Sequence, residues 1–142
     1  MSYSLSFSKA VLVVIFISDK IRQGQYEFLS TKSISEVLNI PKPTLVKILK
    51  NLSVVGIIET KEGKQGGIRL MKTPAQITIL DVLTAMETGK PLFQTSFNIM
   101  AEGKRPNNAQ KSISTLLNNA ETEMKKILNQ KTIEQILIEM GE

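Results

Sequence analysis

The chain has 142 residues, enough for one ordinary domain or for a small domain with an attached arm, and its 42% hydrophobic and 22% charged residues are a folding composition. It contains no cysteine, histidine or tryptophan, which excludes disulfides, thiolate-ligated clusters, Cys/His zinc sites and any Cys or Ser–His nucleophile. Lys and Arg number 18 against 13 Asp and Glu, a net charge of +5, and with Asp19 and Asp81 as the only aspartates there is little from which to build a paired-carboxylate enzyme.

The longest apolar run, Ala10 to Ile17, is about half the length that crosses a membrane. Asp19, Lys20 and Arg22 follow it with no small-residue cleavage pattern. It therefore predicts a buried helix from about Ser6 to Arg22, stopping at Gly24, in a soluble cytoplasmic protein. Ser33, with Glu36 three residues on, has the spacing of a capping box and predicts a short second helix from Ile34 to about Leu38. Pro41 disfavours helical geometry at Ile40, whereas Pro43 suits the first turn of a new helix, where its missing N–H costs nothing. That third helix, about Pro43 to Val55, places Leu45, Ile48, Leu49 and Leu52 on one face. Its other face carries Lys42, Thr44, Lys47, Lys50 and Asn51, and Gly56 ends it.

Ile57 to Thr60 and Ile68 to Lys72 read as strands flanking Lys61–Gly67, a turn with three glycines, and together predict a β-hairpin. After Pro74, Thr78 and Asp81 have the spacing to cap a fourth helix running through Met86 to Thr88, ended by Gly89-Lys90-Pro91. Residues 92–105 lack periodicity. A long helix from about Pro106 to Asn129 aligns Ile113, Leu116, Leu117, Ala120, Met124, Ile127 and Leu128 on one stripe, and Thr132 with Gln135 caps a last helix, Ile133 to Met140.

The expected fold is mainly α with a small β-hairpin: a winged helix-turn-helix over residues 1–90, a linker over 91–105 and C-terminal dimerisation helices over 106–142. Residues 1–72 hold eleven Lys/Arg against five Asp/Glu, whereas residues 73–142 are slightly acidic, so the basicity lies with the winged helix. A helix of this kind fits the major groove of DNA, its first amides favour phosphate, and a hairpin with a side-chain-poor tip can follow the backbone or an adjacent groove.

On that basis Lys47 is the expected base-edge contact, with Pro43 and Thr44 beside it. Lys42, Lys50 and Lys64 are expected on phosphates, and Gln65, Gly66 and Gly67 at the wing tip. The partners expected are double-stranded DNA and a second copy of the chain, joined through the long helix. A small-molecule effector near Phe93, Phe97 and Met100 is a further expectation, from position alone. The competing expectation is a winged-helix module whose basic face meets an acidic protein. No membrane partner and no catalytic set are expected.

The run Ile40 to Leu52, the segments Gly56–Thr60 and Gly63–Leu70, and the helix in Pro74–Glu87 resemble the winged helix of the IscR-type (Rrf2) transcription regulators. The match covers roughly residues 6–92 well and the long helix more loosely. The resemblance implies a homodimer on a partly palindromic operator, usually a repressor, with the long helix as its seam. Three departures stand out. Members that sense iron–sulfur status carry a cysteine triad after the fourth helix, whereas Pro91–Arg105 offers Gln94, Thr95, Ser96, Asn98 and Met100, so no cofactor is expected. Glu62 stands where arginine often precedes the first wing glycine. Val46 stands where the recognition helix is often polar, which shifts the expected base reading onto Pro43, Thr44 and Lys47.

Overall fold

The computed structural model describes residues 4–24, 28–87 and 91–141. The expected last residue of the fourth helix, Thr88, and the expected Gly89-Lys90 stop lie outside them. The first helix, α1 (Ser4–Arg22), holds the centre of the core: Ala10, Val13, Val14 and Ile17 are completely buried. Ser18 continues that face and avoids a desolvation penalty by donating its hydroxyl to the Val14 carbonyl at 2.6 Å.

The second helix, α2 (Thr31–Leu38), starts three residues earlier than its Ser33–Glu36 spacing predicts. Its N-cap is Ser30, whose hydroxyl accepts the Ser33 N–H at 3.0 Å, while Glu36 faces Lys32 at 4.0 Å. The cause is tertiary. Leu29 exchanges both backbone hydrogen bonds with Ile68 (2.9 and 2.7 Å), which fixes where the chain leaves the sheet and makes Ser30 the next free capping residue. Asn39 closes α2 in the left-handed conformation (φ 52°), and the Ser35 hydroxyl donates to the Ile40 carbonyl at 2.7 Å. These bonds fix the turn that aims α3 (Lys42–Val54), which begins after Pro41 with Pro43 in its first turn.

The hairpin strands are β1 (Ile58–Lys61) and β2 (Gly67–Leu70), antiparallel, with Ile58 opposite Leu70 and Lys61 opposite Gly67. The wing glycines have separate steric duties. A Cβ on Gly66 would overlap the Lys61 carbonyl oxygen. A Cβ on Gly67, already at φ +141°, would lie 2.5 Å from the Leu29 carbonyl oxygen. Gly67→Ala is therefore expected to cost about 2 kcal/mol of stability, read as a lowered urea midpoint at unchanged slope. Gly63→Ala, at φ +103° but in open space, is the milder control.

A single 3-10 turn, Pro74–Gln76, leads to α4 (Ile79–Glu87). There Thr78 and Asp81 cap reciprocally, through Thr78 N–H to Asp81 Oδ2 (2.9 Å) and Asp81 N–H to Thr78 Oγ1 (3.1 Å). After an irregular stretch, α5 (Lys104–Asn129) extends for about 39 Å at the ordinary helical rise. Its C-terminal part meets α4 through charge. Lys125 Nζ lies 3.4 Å from the buried Glu87 carboxylate and 3.9 Å from Glu121, which also accepts the Leu92 N–H.

The last helix, α6 (Ile133–Glu139), carries the expected Thr132–Gln135 capping box and turns back onto α1. Its start is stitched to the start of α4 by Ile79 N–H to the Lys131 carbonyl and Ile133 N–H to the Ile77 carbonyl, both 2.9 Å, and Ile133 and Leu137 are buried in the core.

Candidate nucleic-acid interface

The geometry of α3 follows from its spacing. Leu45, Ile48, Leu49 and Leu52 are buried against α1, α4 and the hairpin. At 100° per residue the opposite side must carry Pro43, Val46, Lys47, Lys50, Ser53 and Val54, and all six are exposed. Thr44 is half-buried at the edge of the stripe. Asn51, expected on the polar face, is instead half-buried and donates toward the Met86 sulfur at 3.9 Å, tying α3 to α4. No side chain caps the start of α3, and Pro43 has no N–H to satisfy, so this end presents backbone amides of a kind that bind phosphate.

The charge on this face is uncompensated. No carboxylate lies between Lys42 and Val54, and among the described residues Lys42, Lys47, Lys50 and Lys64 join no ion pair. Farther along the chain, Lys125, Lys126 and Lys131 each stand against a glutamate. Free, exposed ammonium groups on one side of the fold concentrate positive potential there and hold counterions that a polyanion would release.

Beside α3 stands the hairpin. Its outermost part is Glu62, Gly63, Lys64 and Gln65, all exposed, whereas Gly66 and Gly67 are half-buried and turn toward protein backbone. The geometry thus makes the glycine pair the former of the wing and leaves Lys64 and Gln65 as its presented side chains. Two hairpin cations outside the expected contact set, Lys61 and Arg69, flank the Phe28 ring at 5.6 and 4.9 Å, and Arg69 also pairs with Glu59. Phe28 so connects the hairpin to the chain just before α2. A groove of about 370 Å³ runs between α3 and the hairpin, lined by Val46, Lys50, Ser53 and Thr60 among others. Val46, from which the sequence reading shifts base contact because it is apolar, and Ser53, which that reading leaves out, both belong to this face. Extending the spacing from Pro43 and Lys50 by three residues each finds them.

The long helix is split by burial. Leu117, Met124 and Leu128 are half-buried, and Leu128 packs on the core. Ile113, Leu116 and Ile127 are 47%, 65% and 66% exposed, Ala120 is exposed too, and no residue of α5 is buried. The uncovered residues recur at intervals of 3, 4 and 7, which lines them along one side of the helix. In the linker, Phe93 and Phe97 are half-buried and Met100 is 93% exposed.

The pattern of the Rrf2 family, described as an iron-dependent transcriptional regulator, matches residues 3–139. The NsrR regulator of Bacillus licheniformis is 36% identical over 75 residues, which are 53% of this chain and 50% of that protein. NsrR of Shouchella clausii is 33% identical over 72 residues, 51% of this chain and 48% of that one. The chain thus spans about half the length of these curated relatives.

Among solved structures, CymR of B. subtilis, described as its global cysteine regulator, shares the fold at a TM-score of 0.67 and 20% identity, covering 96% of this chain and 95% of that one. IscR of T. potens does so at 0.65 and 17%, covering 99% and 88%. The donor chemistry here does not fit an iron–sulfur cluster. There is no thiolate or imidazole in the chain, and among the described residues no three carboxylates converge as metal ligands. No helix of the described residues is long and apolar enough to cross a membrane.

Proposed function

Because the chain belongs to the Rrf2 family of transcriptional regulators, we propose that it is a homodimeric, sequence-specific DNA-binding repressor that works in the cytoplasm without an iron–sulfur cluster. The observation that carries this reading is the α3 stripe: exposed, free of carboxylate, with unpaired lysines and a wing beside it. Lys47, in the second turn, reaches base edges in the major groove, with Pro43 and Thr44 at the helix start. Lys42, Lys50 and Lys64 anchor phosphates, and Gln65 with the Gly66-Gly67 turn sets the wing against the backbone or the next groove.

No covalent chemistry is involved. Specificity comes from the fit of two such faces to one side of a duplex, about one helical turn or a multiple apart, and repression follows from occupying the operator. The seam that holds the two faces is the stripe Ile113, Leu116, Leu117, Ala120, Met124, Ile127 and Leu128. Its outward members Ile113, Leu116, Ala120 and Ile127 meet their copies, and its inward members brace the helix against its own body.

The test is selection of fragments of the host genome on the purified protein at physiological salt. The expected result is enrichment of a few sites with two-fold related halves, bound better than random DNA. If no duplex is bound better than random DNA, the proposal fails and the same basic face is left for an acidic protein.

A further inference from the structure

The α3 stripe is unusual in what it lacks. Its exposed side chains are three lysines (Lys42, Lys47, Lys50), Ser53 and the apolar Pro43, Val46 and Val54. It has no arginine or glutamine, and its one amide, Asn51, faces Met86. Adenine is read through asparagine or glutamine, and cytosine through a carboxylate. Guanine is read through arginine or lysine, and the thymine 5-methyl through an apolar contact. The side chains this helix presents therefore suit guanine and thymine.

Val46 is 51% exposed although a fully buried leucine neighbours it in sequence, and it sits at the middle of the stripe, one turn from Lys42 and one turn from Lys50. It also lines the groove toward the hairpin together with Lys50. A half-exposed valine there, flanked by lysines that would hold the helix against phosphate, stands where a base edge would cover it on a duplex.

We infer that Val46 is a specificity-determining residue that selects thymine at one position of each half-site by packing its two methyl groups against the thymine 5-methyl. The inference rests on the DNA-binding reading above. It adds to that reading a base identity and the residue that sets it. Half-exposed in the free protein, the valine lies outside the core cluster. Its burial against a methyl group is gained only on the right duplex, and a cytosine at that position offers no methyl to bury.

The experiment uses the full chain and a duplex enriched from a randomised pool at physiological salt. Each thymine of that duplex is replaced in turn by deoxyuridine, which keeps base pairing and removes only the 5-methyl. For the unaltered protein, one symmetry-related thymine pair is expected where the replacement weakens binding about fourfold per half-site, the factor for burying one methyl group. With Val46→Ala the thymine and uracil duplexes are expected to bind equally at that pair. Any thymine packed on Pro43 or Thr44 keeps its own uracil penalty.

If the unaltered protein is indifferent to uracil everywhere, or if Val46→Ala keeps every penalty in full, the inference is overturned while DNA binding stands. If the pool yields no enriched duplex, the DNA-binding reading fails and this inference with it. Because Val46 is exposed, Val46→Ala is expected to melt as the unaltered protein does, so a loss of binding is not a loss of fold.

Discussion

Replacing Lys47 and Lys50 together with alanine is expected to weaken binding to the selected duplex by about two orders of magnitude, and to flatten its salt dependence, without changing the melting temperature. Both side chains are exposed and neither joins an ion pair among the described residues, so the folded chain loses no ion pair when they are removed. The two losses differ in kind. If Lys47 meets a base edge as proposed, its loss removes discrimination between sequences, about 1–3 kcal/mol for a good contact. Lys50, one turn later and lining the hairpin groove, is the proposed phosphate contact, and its loss is expected to lower the slope of log affinity against log salt by about 0.9 on every sequence. Measured singly, Lys50→Ala should weaken specific and random DNA alike, and Lys47→Ala should bring the two closer together. Unchanged affinity and slope in the double variant would show that this face does not meet nucleic acid.

Leu116→Glu is expected to convert the protein to a monomer at micromolar concentration and to reduce operator affinity by about a hundredfold or more, with helix content retained. Leu116 is 65% exposed in the single chain, so a carboxylate there stays solvated and does not disturb the core. Across a two-fold axis the same substitution occurs twice and brings like charges together in an apolar seam. What is lost is the linkage of two reading faces. Each then binds its half-site alone, and the advantage of the second site, commonly 10²–10⁴, disappears. Sedimentation combined with titration of full and half operators checks it. Leu128→Ala serves as contrast. It packs on the core of its own chain, so its cost should appear in stability first. A persistent Leu116→Glu dimer would refute the seam.

How much of this was legible in the sequence depends on whether the cause was local. The apolar spacing of α3, the Thr78–Asp81 and Thr132–Gln135 caps, the glycine-tipped hairpin and the long helix are determined within a few residues of themselves. They appear where their residues predict, with ends shifted by a residue or two, except that Gly66 and Gly67, expected at the wing tip, stand at the foot of β2 because Gly67 pairs with Lys61, and the tip is Glu62–Gln65. The start of α2 was misread because two serines three apart both suit a cap, and the choice is made by the Leu29–Ile68 bridge, whose partners are 39 positions apart. Asn51 was misjudged for the same reason, since the methionine that draws it inward lies on α4. At the site, stripe geometry is legible, but sorting by residue type favours lysines and sets Val46 aside as apolar. An apolar side chain on a polar face signals nothing until its exposure is known.

The return of α6 onto α1 has a consequence for how such a protein is divided. The chain runs out along α5 and comes back, so the basic head contains residues from both sides of that long helix. The buried Ile133 and Leu137, and the backbone bonds at Ile77 and Ile79, all come from or reach the far side. The head is therefore not a detachable cassette. A fragment cut after α4, or a chimera grafting this head onto a foreign oligomerisation helix, leaves apolar surface on α1 and two strand-like amide and carbonyl groups without their natural cover. Exchange between relatives should succeed only when α5 and α6 travel together with the head they complete.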